Sequence, residues 1–197
     1  DISNNAFNSI TVLQKLYLIK DLNLSGNSLK DLNNLAVNTK IENLDVSNCN
    51  MKSLSGVKRL TSLKRLNASN NSITDFGDIK SLTSLEYINL SKNNISSVSF
   101  AENLSVKELD LSGNSIKNIK PIQKTKNLQN LNLSDNNISN IEYLAELSEL
   151  SVLNISNNSI TEIAPLLESK SLTKVIASGN SIKDYNLITG ATFQIQK

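Results

Sequence analysis

Histidine and tryptophan are absent from this chain, and cysteine occurs once. Without histidine, the chain lacks the commonest general base and the commonest metal ligand of proteins. A single cysteine excludes an internal disulfide, and no Cys/His spacing of a zinc site is present. No glycine-rich phosphate loop or nucleophile motif occurs either. We therefore expect no enzyme, no cofactor and no bound metal.

Aromatic residues and net charge are also scarce. Four Phe and four Tyr are the only aromatics, so the core must be aliphatic. The 20 basic and 18 acidic residues nearly balance and leave a formal charge of +2. Nucleic acid is not an expected partner, because phosphate binding needs clustered Lys and Arg. No apolar run approaches the roughly 18 residues that a membrane span requires.

The sequence is highly repetitive. The segment from Leu63 to Ile73, LKRLNASNNSI, returns with small changes about every 22 residues. Its copies begin at Ile19, Ile41, Leu63, Leu85, Val106, Leu128, Leu150 and Leu172. A partial copy precedes them at residues 2–7. A fixed period of this length is typical of repeat architectures.

The positions within a repeat predict its local structure. With Leu63 as position 1, positions 4 and 6 are apolar and alternate with polar neighbours, as in Leu66 and Ala68. This alternation predicts a short strand with one buried face. Positions 11, 14 and 17 are apolar, as in Ile73, Phe76 and Ile79. A spacing of three predicts a 3₁₀-like return leg.

Position 9 forms a structural row of amides. We expect each Asn to be buried and to bond backbone groups of adjacent turns, because an unpaired buried polar group costs about 1–3 kcal/mol. Cysteine replaces Asn once, and we interpret it as a small buried group rather than a reactive thiol. The row comprises Asn27, Cys49, Asn71, Asn93, Asn114, Asn136, Asn158 and Asn180.

The pattern L-x-x-L-x-L-x-x-N-x-L resembles that of the leucine-rich repeats. The resemblance implies an α/β repeat fold, a leucine-rich-repeat solenoid. Its shape would be a right-handed arc with a parallel concave sheet and short 3₁₀ or turn legs on the convex side. The 22-residue length resembles both the phosphatase-regulator type and the bacterial internalin-like type. We expect neither type to be enzymatic.

We predict a single domain over 1–197. It would comprise a partial first repeat at 1–18, full repeats from residue 19 and a C-terminal edge or cap at 186–197, where Phe193 and Ile195 alternate. The first copy lacks its first two Leu-type positions. We therefore interpret the chain as a fragment of a longer protein.

The outward strand positions are candidates for partner binding, because this family usually binds on its concave face. Positions 5 and 7 are nearly uniform Asn/Asp and Ser rows, which we interpret mainly as ladders between repeats. Position 3 varies, and Arg65, Tyr87 and Glu108 occupy it on three successive turns. We predict these three as partner-binding residues. Phe100 and Tyr143 also fall at outward positions, although the shortened repeat from Leu85 can turn Phe100 inward.

Three functions remain open at this point. The first is a non-enzymatic protein-binding module, the ligand-binding or presenting part of a bacterial surface or secreted protein with a role in adhesion and virulence. The second is an intracellular scaffold or regulator, which would place the chain in the cytoplasm. The third is a structural spacer between other domains. In each case we expect a monomer without a membrane span, and the identity of the protein ligand stays open.

Overall fold

Short strands form where positions 3 to 5 of each repeat fall. The computed structural model describes residues 1–35, 40–77, 79–102, 104–185, 191 and 193–197. Packing divides them into two compact units, Asp1–Asn94 and Ile95–Lys197. That residues 1–197 form a single domain stays a prediction. Within the predicted C-terminal cap, residues 186–190 and 192 lie outside the described residues.

In the first unit the strands are parallel and in register. Each central residue faces its counterpart, Leu22 to Leu44, Leu44 to Leu66 and Leu66 to Ile88. 3₁₀ helices supply the return legs, as the spacing of three predicts. The elements are η1 Thr11–Lys15, β1 Asp21–Asn23, η2 Asn33–Leu35, β2 Asn43–Asp45, η3 Val57–Arg59, β3 Arg65–Asn67, η4 Ile79–Ser81 and β4 Tyr87–Asn89.

The second unit repeats this arrangement. Its strands are also parallel, and the last one, Gln194–Gln196, pairs with Lys174–Ile176. The elements are η5 Ser99–Ala101, β5 Glu108–Asp110, η6 Lys120–Lys124, β6 Asn130–Asn132, η7 Glu142–Glu146, β7 Val152–Asn154, η8 Ala164–Glu168, β8 Lys174–Ile176 and β9 Gln194–Gln196. The parallel strands and 3₁₀ legs of both units confirm the predicted fold class, a leucine-rich-repeat solenoid.

The core of each unit is mainly aliphatic, as the scarcity of aromatics requires, and the second unit adds the buried Phe100 and Phe193. Leu66 and Ala68, at positions 4 and 6, are fully buried, and Ile73 at position 11 is too. Burying a side chain such as Leu66 stabilises the fold by about 1.5–3 kcal/mol. The last repeat departs from the pattern, since Ile182 and Tyr185 are only half-buried. Among the described residues, they pack against a complete repeat on one side alone.

The Asn row joins consecutive turns. Asn93, with 3% of its surface exposed, accepts the N–H of Ile73 at 2.9 Å through Oδ1. Its Nδ2 donates to the carbonyls of Ala68 at 3.1 Å and Leu90 at 3.0 Å. Asn71, Asn136, Asn158 and Asn180 make the same set of bonds. The side chain thus satisfies backbone groups that the turn leaves without a ladder partner.

Cys49 is the exception in this row, and the backbone compensates for it. The thiol reaches the Leu24 carbonyl at 3.2 Å but offers no amide oxygen to the N–H of Leu29. That N–H bonds the Cys49 backbone carbonyl at 3.0 Å instead. The next residue, Asn50, has a positive φ of 55°, and no other described residue at position 10 does. Burial raises the pKa of the Cys49 thiol, which agrees with a structural role.

Position 8 has a left-handed conformation in every copy. Most copies carry Gly, Asn or Asp there, the residue types that tolerate a positive φ. Lys92, with φ of 51°, is the exception. This row ends the strand segment and turns the chain toward position 9. The residues are Asn4, Gly26, Asn48, Asn70, Lys92, Gly113, Asp135, Asn157 and Gly179.

Candidate functional site

Arg65 and Tyr87 meet on the exposed face of the sheet in the first unit. They are partners in the register of β3 and β4. The guanidinium carbon of Arg65 lies 4.1 Å from the centroid of the Tyr87 ring. Arg65 is exposed and Tyr87 is half-buried. A cation stacked on an aromatic ring contributes about 0.5–1 kcal/mol at an exposed site, so the contact holds both side chains in one arrangement.

These two residues border an open depression. It has a volume of about 420 Å³ and lies over β1, β2 and β3 up to Tyr87. Three carboxylates and one guanidinium line it, so its charge is mainly negative. The lining residues are Asp1, Asp21, Leu22, Asn23, Asn43, Leu44, Asp45, Arg65, Asn67 and Tyr87. We did not predict the acidic residues as site residues, although the mixed charges of position 3 were visible in the sequence.

Most polar groups in the depression are engaged within the protein. Asp45 Oδ1 accepts the N–H of Ser47 at 2.8 Å and its hydroxyl at 2.7 Å. Asp45 Oδ2 accepts Asn67 Nδ2 at 2.8 Å. Similar bonds join positions 5 and 7 in other repeats, as in Asn67 with Ser69. The uniform Asn/Asp and Ser rows are therefore hydrogen-bonded ladders, as interpreted from the sequence.

Charges at position 2, one residue before each of these strands, form ion pairs between repeats. Glu42 accepts Lys20 at 3.2 Å and Lys64 at 2.7 Å. The hydrogen bond from Lys64, with that from Lys20, lowers the pKa of the Glu42 carboxyl. Exposed pairs of this kind contribute little stability. They do show that neighbouring repeats bring the opposite charges of Lys20, Glu42 and Lys64 together.

Glu108, the third predicted residue, belongs to the second unit. It begins β5, is half-buried and has Asn130 as its register partner on β6. Arg65 and Tyr87 therefore contact each other in the first unit, whereas Glu108 lies beside Asn130 in the second. Its role in binding stays a prediction.

The two outward aromatics on the return legs behave differently. Phe100 is turned inward, with 7% of its surface exposed, as the shortened repeat permits. Tyr143 remains half-buried at the surface, and Lys120 Nζ lies 5.8 Å from its ring centroid. Tyr143 and Lys120 thus repeat the cation-over-ring arrangement away from the sheet.

An apolar patch that we did not predict lies before β1. Leu16, Tyr17 and Leu18 expose 49%, 64% and 76% of their surfaces. Val12 on η1 exposes 70%. The positions of Tyr17 and Leu18 carry Thr61 and Ser62 in a later repeat. Clustered exposed apolar residues are typical of surfaces that contact another polypeptide.

Across the described residues, no cluster of three or more His, Cys, Asp or Glu side chains has an arrangement that would hold a metal ion. Within the same part of the chain, no helix is both long enough and apolar enough to cross a membrane.

Profiles of known families match most of the repeats. A profile described as Leucine Rich repeats (2 copies) matches residues 39–81, 61–103 and 104–146. A Leucine Rich Repeat profile matches residues 149–169. Together these matches cover more than half of the chain. Among curated proteins, no sequence matches it.

Solved structures give the same result. The chain is 26% identical to an internalin, InlF, from Listeria monocytogenes, with a TM-score of 0.90 over 98% of this chain and 58% of that one. It is 25% identical to a leucine-rich repeat protein from Leptospira interrogans, with a TM-score of 0.88 over 98% and 53%. For internalin C2 from Listeria monocytogenes the values are 28% identity and 0.68, over 98% and 77%.

The chain therefore spans little more than half of the first two of these proteins. Leucine-rich repeat proteins in general are non-enzymatic protein-interaction modules. The repeat period, the Asn row, the parallel strands and the profile matches all agree. This chain belongs to the leucine-rich repeat family, and its repeats are similar to those of the bacterial internalins.

Proposed function

We propose that this chain is a non-enzymatic protein-binding module whose anchor is the Arg65–Tyr87 pair. The observation that carries the proposal is the stacking of the Arg65 guanidinium, 4.1 Å from the Tyr87 ring centroid, beside an open depression. Elsewhere on this face, the polar rows at positions 5 and 7 bond mainly to each other. On the sheet face of the first unit, this pair offers large side chains to a partner.

The physical case rests on side-chain type and order. Tyr and Arg are enriched among residues that dominate binding free energy. Ordering a flexible side chain on binding costs about 0.5–1.5 kcal/mol. Because Arg65 is already stacked on Tyr87, part of that cost is met before a partner arrives. Truncating either side chain should therefore weaken binding by about 2 kcal/mol or more.

The proposed setting is the surface or the secreted fraction of a bacterium, with a role in adhesion or virulence. Its support is the similarity to proteins named internalins, one of which has a TM-score of 0.90 with this chain. A structural spacer is the second candidate function. The hydrogen bonds that Asp45, Ser47 and Asn67 form within the protein favour it, because they leave few polar groups for a partner to bind.

The test is a binding screen on an array of purified extracellular proteins, with and without the anchor. Wild type would be compared with a double variant, Arg65→Ala with Tyr87→Ala. The matched control is Lys120→Ala with Tyr143→Ala, which removes a cation-over-ring pair of the second unit. We expect ligands that the control retains and the anchor variant loses. A screen in which all three proteins capture the same ligands would refute the anchor, and a screen in which none of them captures a ligand would support the spacer.

A further inference from the structure

Asp21 and Arg65 are opposite charges that the fold holds apart. Both occupy position 3, on β1 and β3, and Asn43 of β2 lies between them in register. Neighbouring strands are about 4.8 Å apart, so the two residues are separated by about 10 Å. Asn43 Nδ2 donates to Asp21 Oδ1 at 2.5 Å, and the second carboxylate oxygen accepts no hydrogen bond from the residues that the structure describes. The depression lies between and around them.

Neither charge has an ionic partner in the described part of the chain. Arg65 stacks on Tyr87, and the carboxylate of Asp45 is occupied by Ser47 and Asn67. At position 2 of the same strands, Lys20, Glu42 and Lys64 alternate and pair. At position 3 the intervening residue is the uncharged Asn43, so neither Asp21 nor Arg65 meets an opposite charge on β2. The exposed face thus presents a negative and a positive group at a fixed separation.

A complementary partner must carry a base and an acid on one face, about 10 Å apart. In an α-helix, residues i and i+7 share a face and are about 10.5 Å apart. In a strand, residues on one face are about 6.7 or 13 Å apart, and neither spacing fits. Residue i+11 lies one turn further along the same helix face, about 16.5 Å from i, and Tyr87 lies three strand spacings, about 14.4 Å, from Asp21, within side-chain reach of that position. An apolar side chain there would contact the ring.

We infer that this surface docks an α-helix of a partner protein that carries Lys or Arg at i, Asp or Glu at i+7 and an apolar residue at i+11. This inference rests on the proposed binding function and adds the chemistry of the partner. The basic residue faces Asp21 and the acidic residue faces Arg65, so the charges also set the direction of the helix. Charge complementarity of this kind fixes orientation and excludes partners of the wrong polarity.

The test uses a library of helical peptides, displayed on a stable helical scaffold, with positions i, i+7 and i+11 randomised. We expect selection on the wild-type protein to enrich a base at i and an acid at i+7. Asp21→Asn and Arg65→Gln should each weaken the selected helices at least about tenfold. Lys174→Gln is the matched control, since Lys174 is an exposed position-3 base on β8. It should leave affinity unchanged.

Charge reversal gives the decisive measurement. Asp21→Lys should abolish binding of a selected helix, and replacing the basic residue of that helix by Glu should restore it. If selected helices depend on Tyr87 yet show no charge preference, the inference is wrong and the anchor stands. If no helix is enriched while the protein array yields Tyr87-dependent ligands, the helical partner is wrong. If neither experiment yields a Tyr87-dependent ligand, both proposals fail.

Discussion

Replacing Asn93 by Leu tests the structural role of the amide row. Asn93 is almost fully buried and serves backbone groups of two consecutive turns. Leucine has a similar size but neither an acceptor nor a donor. The substitution would leave the N–H of Ile73 and the carbonyls of Ala68 and Leu90 without these bonds. The perturbation is therefore polar rather than steric.

The expected cost follows from those contacts. A buried donor left without a partner costs about 1–3 kcal/mol, and each lost hydrogen bond to a carbonyl costs about 0.5–1.5 kcal/mol. The apolar side chain of Leu recovers about 1 kcal/mol through burial. The free energy of unfolding should therefore fall by about 3 kcal/mol. At a urea dependence of about 2 kcal/mol per molar, the midpoint moves down by about 1.5 M.

The assay is urea unfolding followed by circular dichroism. Asn130→Leu is the matched control, because Asn130 is an exposed residue on the outward face of β6 and should change stability by less than about 0.5 kcal/mol. Equal midpoints for Asn93→Leu and wild type would show that these hydrogen bonds do not stabilise the turn. The repeat register would then be refuted as well.

Three further changes test other features of the fold. Cys49→Asn should raise stability by about 1 kcal/mol, because an amide oxygen can accept the Leu29 N–H without the positive φ at Asn50; a lower melting temperature would contradict this. Lys92→Asn should also stabilise by about 1 kcal/mol, since Asn tolerates a left-handed φ better; a lower urea midpoint would refute it. Asp75→Asn should reduce the acid sensitivity of stability. The hydrogen bonds from the Ser53 hydroxyl at 2.6 Å and the Gly77 N–H lower the pKa of the Asp75 carboxyl from its ordinary value. Its stabilising contribution is thus present above the pKa of the unfolded chain and lost as the pH falls through the lower pKa of the folded protein; equal acid sensitivity in both proteins would overturn this.

The 22-residue period of the sequence is enough to predict much of the fold. A strict 22-residue offset means that residues at one position face each other across strands, as Arg65 and Tyr87 do. Their contact could therefore be anticipated from their positions. Leu66 and Ile73 are buried because the spacing of apolar residues assigns them to the inner face. These inferences need only the pattern and the geometry of a parallel strand.

Other features depend on information that the pattern does not contain. The Cys49 carbonyl accepts the Leu29 N–H, and the next residue, Asn50, has a positive φ. The repeat pattern does not indicate this backbone conformation. The openness of Asp21 depends on Asn43 occupying only one of its carboxylate oxygens. Whether an exposed charge is engaged depends on side-chain torsions, and these follow from packing rather than from residue spacing.

Successive repeats make hydrogen bonds with the same spacing in sequence. The distance between two side chains on the exposed face is therefore set by the number of repeats between them. The bond from Asn93 to Ala68 spans 25 residues, and the corresponding bond from Asn71 to Val46 spans 25 as well. A duplicated or deleted repeat would leave these bonds intact on either side of the change. It would alter the distance from Asp21 to Arg65 by one strand spacing, about 4.8 Å. Gain or loss of whole repeats can therefore change the distance between the two charges in fixed steps, whereas a point mutation changes only the charge at one end.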